Sequence, residues 1–185
     1  MARAPWGLDI SPPTGPNTHD LNHLWFNSLS KHHMETQITS MLVSSPAFIS
    51  QGSIPDRFTC EGEDINPPLA IDNVPPNAKS LAIIMEDPDA SRGTFDHWIV
   101  WNIEPTDTIK EGTTPGTCGT NGFGKKQYNG PCPPTGIHRY FIKVFALDSM
   151  LNLPDEAGKK ELLRAMDEHI ISIGELLGHY QKKTR

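Results

Sequence analysis

The chain has 185 residues, about one domain's worth with room for a core. Gly 15 and Pro 17, with only 21% charged residues, exclude a coiled coil or a helical bundle and suit short strands joined by turns, or a chain that carries a disordered arm. The net charge of −6 excludes a nucleic-acid binder that works through a basic face, and no run of about 18 apolar residues offers a membrane span.

In chain order, residues 1–40 hold His19, His23, His32 and His33 and show no sustained period of 2 or 3.6. They read as a leader outside the fold: vector-derived sequence, read-through to a start at Met34 or Met41, or a native disordered arm with a weak helical turn around Leu21–Leu29. The first thirty residues lack the basic start and apolar stretch of a secretory signal, so the default address is the cytoplasm. Residues 41–185 are expected to form the domain.

Ser80–Asp87 is a compact apolar run and predicts an inner strand. Phe95–Glu104, rich in aromatic and β-branched residues, predicts a second, and Arg139–Asp148 a third. Between the last two, Pro105–Pro134 reads as a long irregular loop, which a compact domain rarely keeps without a use. Gly158–His169 predicts an amphipathic helix with Leu162, Leu163 and Met166 on its packed face. Ile170–Gln181 reads as a last strand with Ile171, Ile173 and Leu177 on one face.

Period 2 puts Leu81, Ile83, Met85 and Asp87 on one face of the first strand. Asp87 is then either a pocket acid or, with Pro88-Asp89 following, the first residue of a turn. On the second strand Phe95, His97, Ile99 and Trp101 share a face, where a lone histidine is commonly a satisfied core group. On the third, His138, Tyr140, Ile142 and Val144 share a face, with His138 and Tyr140 roughly 7 Å apart by strand rise. Imidazole and phenol groups at strand ends can donate to an anion's oxygens. The Tyr128–Gly136 loop adds a stiff rim, in which Gly130 permits close backbone approach and the prolines offer no N–H. Gly122-Phe123-Gly124-Lys125-Lys126 reads only as a turn followed by a basic pair.

Cys60, Cys118 and Cys132 form no CxxC pair and read as reduced thiols, with one disulfide left open for an exported protein. Cys132 reads as a packed small residue rather than a catalytic thiol. Asp87, His97 and His138 have ligand types that suit zinc or iron, but they come from three separate segments and no spacing demands a metal.

Asp87-Pro88-Asp89-Ala90, His97 on the next strand, and Gly130-Pro131-Cys132-Pro133-Pro134 leading into His138-Arg139-Tyr140 resemble the phosphatidylethanolamine-binding protein family, also called the Raf kinase inhibitor protein family. Thr59–Leu69 and the run from Ala146 to the helix resemble its bacterial and archaeal branch, and the resemblance spans about residues 41–185. It implies an antiparallel β-sandwich, mainly β, with the helix in the C-terminal region and a small anion pocket near the sheet end. Carried over by position, the pocket is Asp87, His97, Gly130, Pro131, His138 and Tyr140. Asp89 would support the turn, Phe95 would stand at the mouth where many members place a tryptophan, and Arg139 would brace loop carboxylates. Ser91 stands where the family usually has a proline.

The function expected is therefore binding of a small phosphorylated anion, phosphate or a phosphorylethanolamine-like headgroup, by a non-enzyme with no cofactor and no resident metal, acting in regulation through that pocket. Two alternatives stand beside it: an inhibitor that contacts a protease or kinase through the Pro105–Pro134 loop, and a metal-dependent hydrolase using Asp87, His97 and His138. A homodimer is left open.

Overall fold

The computed structural model describes residues 39–183. Residues 1–38, and with them most of the expected leader and the helical turn at Leu21–Leu29, lie outside the described residues. Thr39 and Ser40, also placed in that leader, instead form strand β1 and pair in parallel with Ser172 and Ile173.

Three long strands make the centre of a seven-stranded sheet: β5 (Ser80–Asp87), β6 (Phe95–Ile103) and β9 (Ile137–Leu147). Its main path runs β1-β10-β9-β5-β6-β8, with β8 at Thr117–Cys118, β10 at Ile170–Gln181, and β3 (Gly52–Ser53) also pairing with β10. A second sheet of three strands, β2 (Leu42–Ser44), β4 (Leu69–Asp72) and β7 (Thr108–Ile109), is antiparallel throughout. The fold is a mainly β sandwich, as expected, with parallel pairing at β1 and β3 alone among the large sheet's pairs. Pro105–Pro134 is less irregular than the sequence suggests, because β7 and β8 arise within it.

One core lies where Leu81, Ile83, Met85, Tyr140, Ile142 and Val144 of the large sheet meet Val43, Leu69, Ile71 and Ile109 of the small one. The opposite face of the large sheet carries Ala82, Ile84, Ile99, Trp101, Phe145 and Leu147, covered by Leu162 and Met166 of helix α1 (Lys159–Met166). That helix is shorter than Gly158–His169. Gly158 precedes its first turn, where the Glu161 carboxylate accepts the Gly158 N–H at 3.1 Å, and His169 N–H closes back onto the Met166 carbonyl at 2.8 Å.

Two face assignments are corrected. On β6, Met85 pairs with Trp98 and Glu86 with Asp96, so His97 is an extra residue in a bulge. The bulge breaks the period: Trp98 and Val100 face the inter-sheet core while Ile99 and Trp101 face the helix, so His97 does not share a face with those two. On β10 the fully buried positions are Ser172, Gly174, Leu176, Gly178 and Tyr180 rather than Ile171, Ile173 and Leu177. The glycines mark close approach, since a Cβ on Gly174 would stand 2.7 Å from the Met41 carbonyl oxygen and one on Gly178 2.5 Å from Ile54.

Candidate functional site

Because β5 runs antiparallel to both β6 and β9, the end of β5 and the starts of β6 and β9 meet at one edge of the sheet. This brings Asp87, His97, His138 and Tyr140 together, all of them buried. His138 Nδ1–H donates to Asp87 Oδ2 at 2.7 Å. The other carboxylate oxygen, Asp87 Oδ1, accepts the Asp89 N–H at 2.8 Å. The two readings of Asp87 therefore hold together: one oxygen orients an imidazole, and the other closes the turn.

His97 Nδ1–H donates to the Asn129 carbonyl at 2.8 Å, and its ring lies 5.3 Å, edge to face, from that of Tyr140. With both Nδ1 atoms held by acceptors of the protein, each histidine keeps Nε2 for a ligand. Burial lowers the His97 pKa, against the pull of the Asn129 and Gly130 backbone and of Asp87, so the ring is neutral at neutral pH. The Tyr140 hydroxyl is buried with no hydrogen-bond partner among the described residues. Burial first, then the Asp87 charge, raise its pKa, while the Cys132 backbone acts in the opposite direction.

The rim is built from contacts across the chain. Gly130 N–H donates to Asp64 Oδ1 at 2.6 Å and Asn129 Nδ2 to Asp64 Oδ2 at 3.1 Å, while the buried Tyr128 hydroxyl donates to the Phe58 carbonyl at 2.8 Å. A Cβ on Gly130 would stand 2.2 Å from that same Phe58 oxygen, so only glycine lets the two loops approach. Pro131 is buried beside it. Cys60 and Cys132 are joined in a disulfide, which corrects the reading of both as reduced thiols; Cys118 is free. Seventy-two residues of separation hid the pairing, and the fold closes it. Since disulfides belong chiefly to oxidising compartments and to proteins of hyperthermophiles, the cysteines lend no support to the cytoplasmic expectation.

Arg139 lies outside the pocket. Its backbone N–H and Nε both donate to Asp89 Oδ2 at 2.9 Å, and a terminal nitrogen donates to Oδ1 at 2.7 Å. This pairing holds the Asp89 pKa down at about 2. Phe95 packs edge to face on His97 at 5.3 Å, and Phe123, half exposed, packs on both, 4.7 Å from Phe95 and 5.7 Å from His97.

This sandwich, with its carboxylate–imidazole pair at a strand edge and a glycine-dependent proline rim, can be set beside known proteins. The family model of the phosphatidylethanolamine-binding protein matches residues 44–181. The chain belongs to that family. The UPF0098 protein of Pyrococcus horikoshii is 50% identical over 155 residues, covering 78% of this chain and 78% of the relative. The UPF0098 protein of Methanothermobacter thermautotrophicus is 43% identical over 150 residues, 77% of this chain and 99% of its own. A crystal structure of a phosphatidylethanolamine-binding protein homolog from Chlamydia trachomatis superposes with a TM-score of 0.75 at 40% identity, covering 78% of this chain and 99% of that one. Escherichia coli YbcL, described as a new member of the mammalian family, superposes at 0.71 with 26% identity, over 78% of this chain and 100% of its own.

Sequence reasoning missed Asp64, Asn121, Asn129 and Phe123. Asn121 is buried and binds the turn that carries Phe123: its Oδ1 accepts the N–H groups of Phe123 (2.9 Å) and Lys125 (3.0 Å), and its Nδ2 donates to Asn129 Oδ1 (3.0 Å). Asn-Gly at 121–122 signals a turn, but not that the turn sets an aromatic ring against the site.

Proposed function

We propose that this pocket binds a small phosphorylated anion, phosphate or a phosphorylethanolamine-like headgroup, and that the chain is a binding protein acting in regulation rather than an enzyme. The observation that carries the reading is the Tyr140 hydroxyl. A buried polar group without a partner is costly and rare, and this one lies on the same strand face as His138, with the His97 ring 5.3 Å away, both histidines being held at Nδ1 by acceptors of the protein. A bound phosphate would satisfy the hydroxyl and accept from an Nε2–H of the histidines beside it. Neither alternative reading has a comparable observation: among the described residues no group of three His, Cys, Asp or Glu is placed to hold a metal, and no feature of the rim points to a protease or kinase.

The test is a titration with inorganic phosphate and with phosphorylethanolamine, followed by the imidazole resonances of His97 and His138. Both rings should shift and saturate, and His138→Ala should abolish the response; resonances unmoved at millimolar ligand contradict the reading. Proton linkage adds a sign. Because the His97 pKa lies below its ordinary 6.5, the unfolded chain takes up that proton first as pH falls through this range, and the folded protein loses stability. A dianion beside the ring favours its protonated form, so binding takes up a proton, and phosphate affinity should rise as pH falls from about 8 to about 6.5. Calorimetry in buffers of different ionisation enthalpy reads the uptake directly.

A further inference from the structure

Among the described residues, the hydrogen bonds that hold the rim stop at Pro131. Tyr128, Asn129 and Gly130 are tied to Phe58 and Asp64, and the Pro131 carbonyl accepts the Cys60 N–H at 3.1 Å. Beyond it, Pro133 and Pro134 have no N–H to give, so the next fixed point is the sulfur of Cys132, bonded to Cys60. Cys132 directly follows Pro131, in the same rim segment whose Asn129 carbonyl accepts from His97 at 2.8 Å.

The other end of the bridge is firmly anchored. Phe58 and Thr59 are buried, and the following Glu61 carboxylate accepts from the Tyr180 hydroxyl at 2.6 Å and from the Lys183 N–H at 2.8 Å, which pins that loop to the end of β10. Cys60 itself is exposed, so a thiol in solution can reach its sulfur.

We infer that the Cys60–Cys132 disulfide is a redox control on the anion pocket: oxidised, it holds the rim at Pro131 and Cys132 in the binding geometry, and reduced, it releases that part of the rim and weakens the anion's hold. The inference rests on the anion-binding reading of the pocket. A dithiol is the reductant class. Its thiolate attacks Cys60 Sγ, the S–S bond breaks, and Cys132 leaves as a thiolate that takes a proton. The second thiol of the reductant then attacks the mixed disulfide, freeing the Cys60 thiolate, which is protonated in turn. Two electrons pass to the protein, and the dithiol ends as its own cyclic disulfide.

The experiment measures the affinity of the full chain for inorganic phosphate, oxidised and after dithiothreitol, in a Cys118→Ser background so that only the bridge responds. Cys60→Ser serves as a form that cannot close the bridge, and a thermal melt accompanies each sample. Reduction and Cys60→Ser should each weaken binding by about tenfold, the order expected when one more backbone residue must be fixed at the moment of binding, and reoxidation should restore it. Equal affinity in the oxidised and reduced forms overturns the inference while leaving the anion site standing. Loss of the folded state on reduction also overturns it, because the bridge would then be a condition of folding. Absence of phosphate binding in the oxidised protein overturns the anion reading, and this inference with it.

Discussion

At the same level of the sheet, β5 and β6 carry polar residues on both faces, and the two faces treat them differently. On the helix side Glu86 accepts from Lys143 at 2.5 Å and from Lys159, and Lys159 also lies 3.1 Å from Asp96. Although burial is the largest influence on Glu86 and acts upward, the two lysines together lower its pKa. Asp96, with one more distant lysine, is instead raised by its burial. On the other face, one residue along each strand, Asp87 accepts from the His138 imidazole and the Asp89 N–H, His97 donates to the Asn129 carbonyl, and the Tyr140 hydroxyl has no hydrogen-bond partner among the described residues. Among the described residues one face pairs its charged groups with each other, Asp96 Oδ1 lacking a hydrogen bond but lying 3.1 Å from Lys159, while the other leaves the Tyr140 hydroxyl with neither. That is the contrast between a structural charge cluster and the proposed binding site, since burial alone is common to both.

The contrast can be broken most forcefully at Glu86. Glu86→Ala leaves Lys143 and Lys159 without their buried partner and should destabilise the fold by about 3 kcal/mol, or roughly 10 °C in Tm for a chain of this size, while phosphate affinity stays within about twofold. A large loss of affinity in the folded variant would show that the faces are not separate. The sign with pH follows from the lowered pKa: the stability Glu86 contributes is present above its unfolded value of 4.5 and is lost as pH falls through the folded one, so Glu86→Gln should flatten the acid limb of the stability profile.

Gly130→Ala attacks the pocket side by its rim. The new methyl group collides with the Phe58 carbonyl and should cost about 2 kcal/mol together with most of the phosphate response, measured by melting and by titration. Asp89→Asn should have the smallest effect. Its ion pair with Arg139 is part-exposed, so about 1 kcal/mol or less is expected. With the folded pKa at about 2 and the ordinary value at 3.8, that contribution is present above about pH 4 and is lost on acidification toward pH 2, a window that the variant should lack.

The sequence makes some of this legible and hides the rest for physical reasons. Local composition suffices for β5, β6, β9 and β10, because a run of β-branched and aromatic residues must bury at least one face. The alternation of His138, Tyr140, Ile142 and Val144 survives intact since β9 has no irregularity at those positions. Alternation fails on β6 because a bulge is a property of two strands in register, invisible in either alone. It fails on β10 because glycines stand on the buried face: Met41, Val43, Phe48 and Ile54 fill the space above them, so hydrophobicity points the wrong way. The grouping of the pocket residues came from the family resemblance. The face of His97 could not be placed by pattern because of the bulge, but those of Asp87, His138 and Tyr140 could. Asp64, Asn121 and the Cys60–Cys132 bridge could not, since each acts across a long stretch of chain through partners that only the closed fold brings near.

The most direct test of the account is Tyr140→Phe, with Tm and phosphate affinity measured on the same preparation. The hydroxyl is buried and unpartnered, so its removal should leave stability unchanged or raise it by up to about 1 kcal/mol, while phosphate binding weakens by about tenfold or more through loss of a hydrogen bond to a charged ligand. A variant that loses stability but binds phosphate as the parent does would contradict the account, because the hydroxyl would then serve the fold and not a ligand.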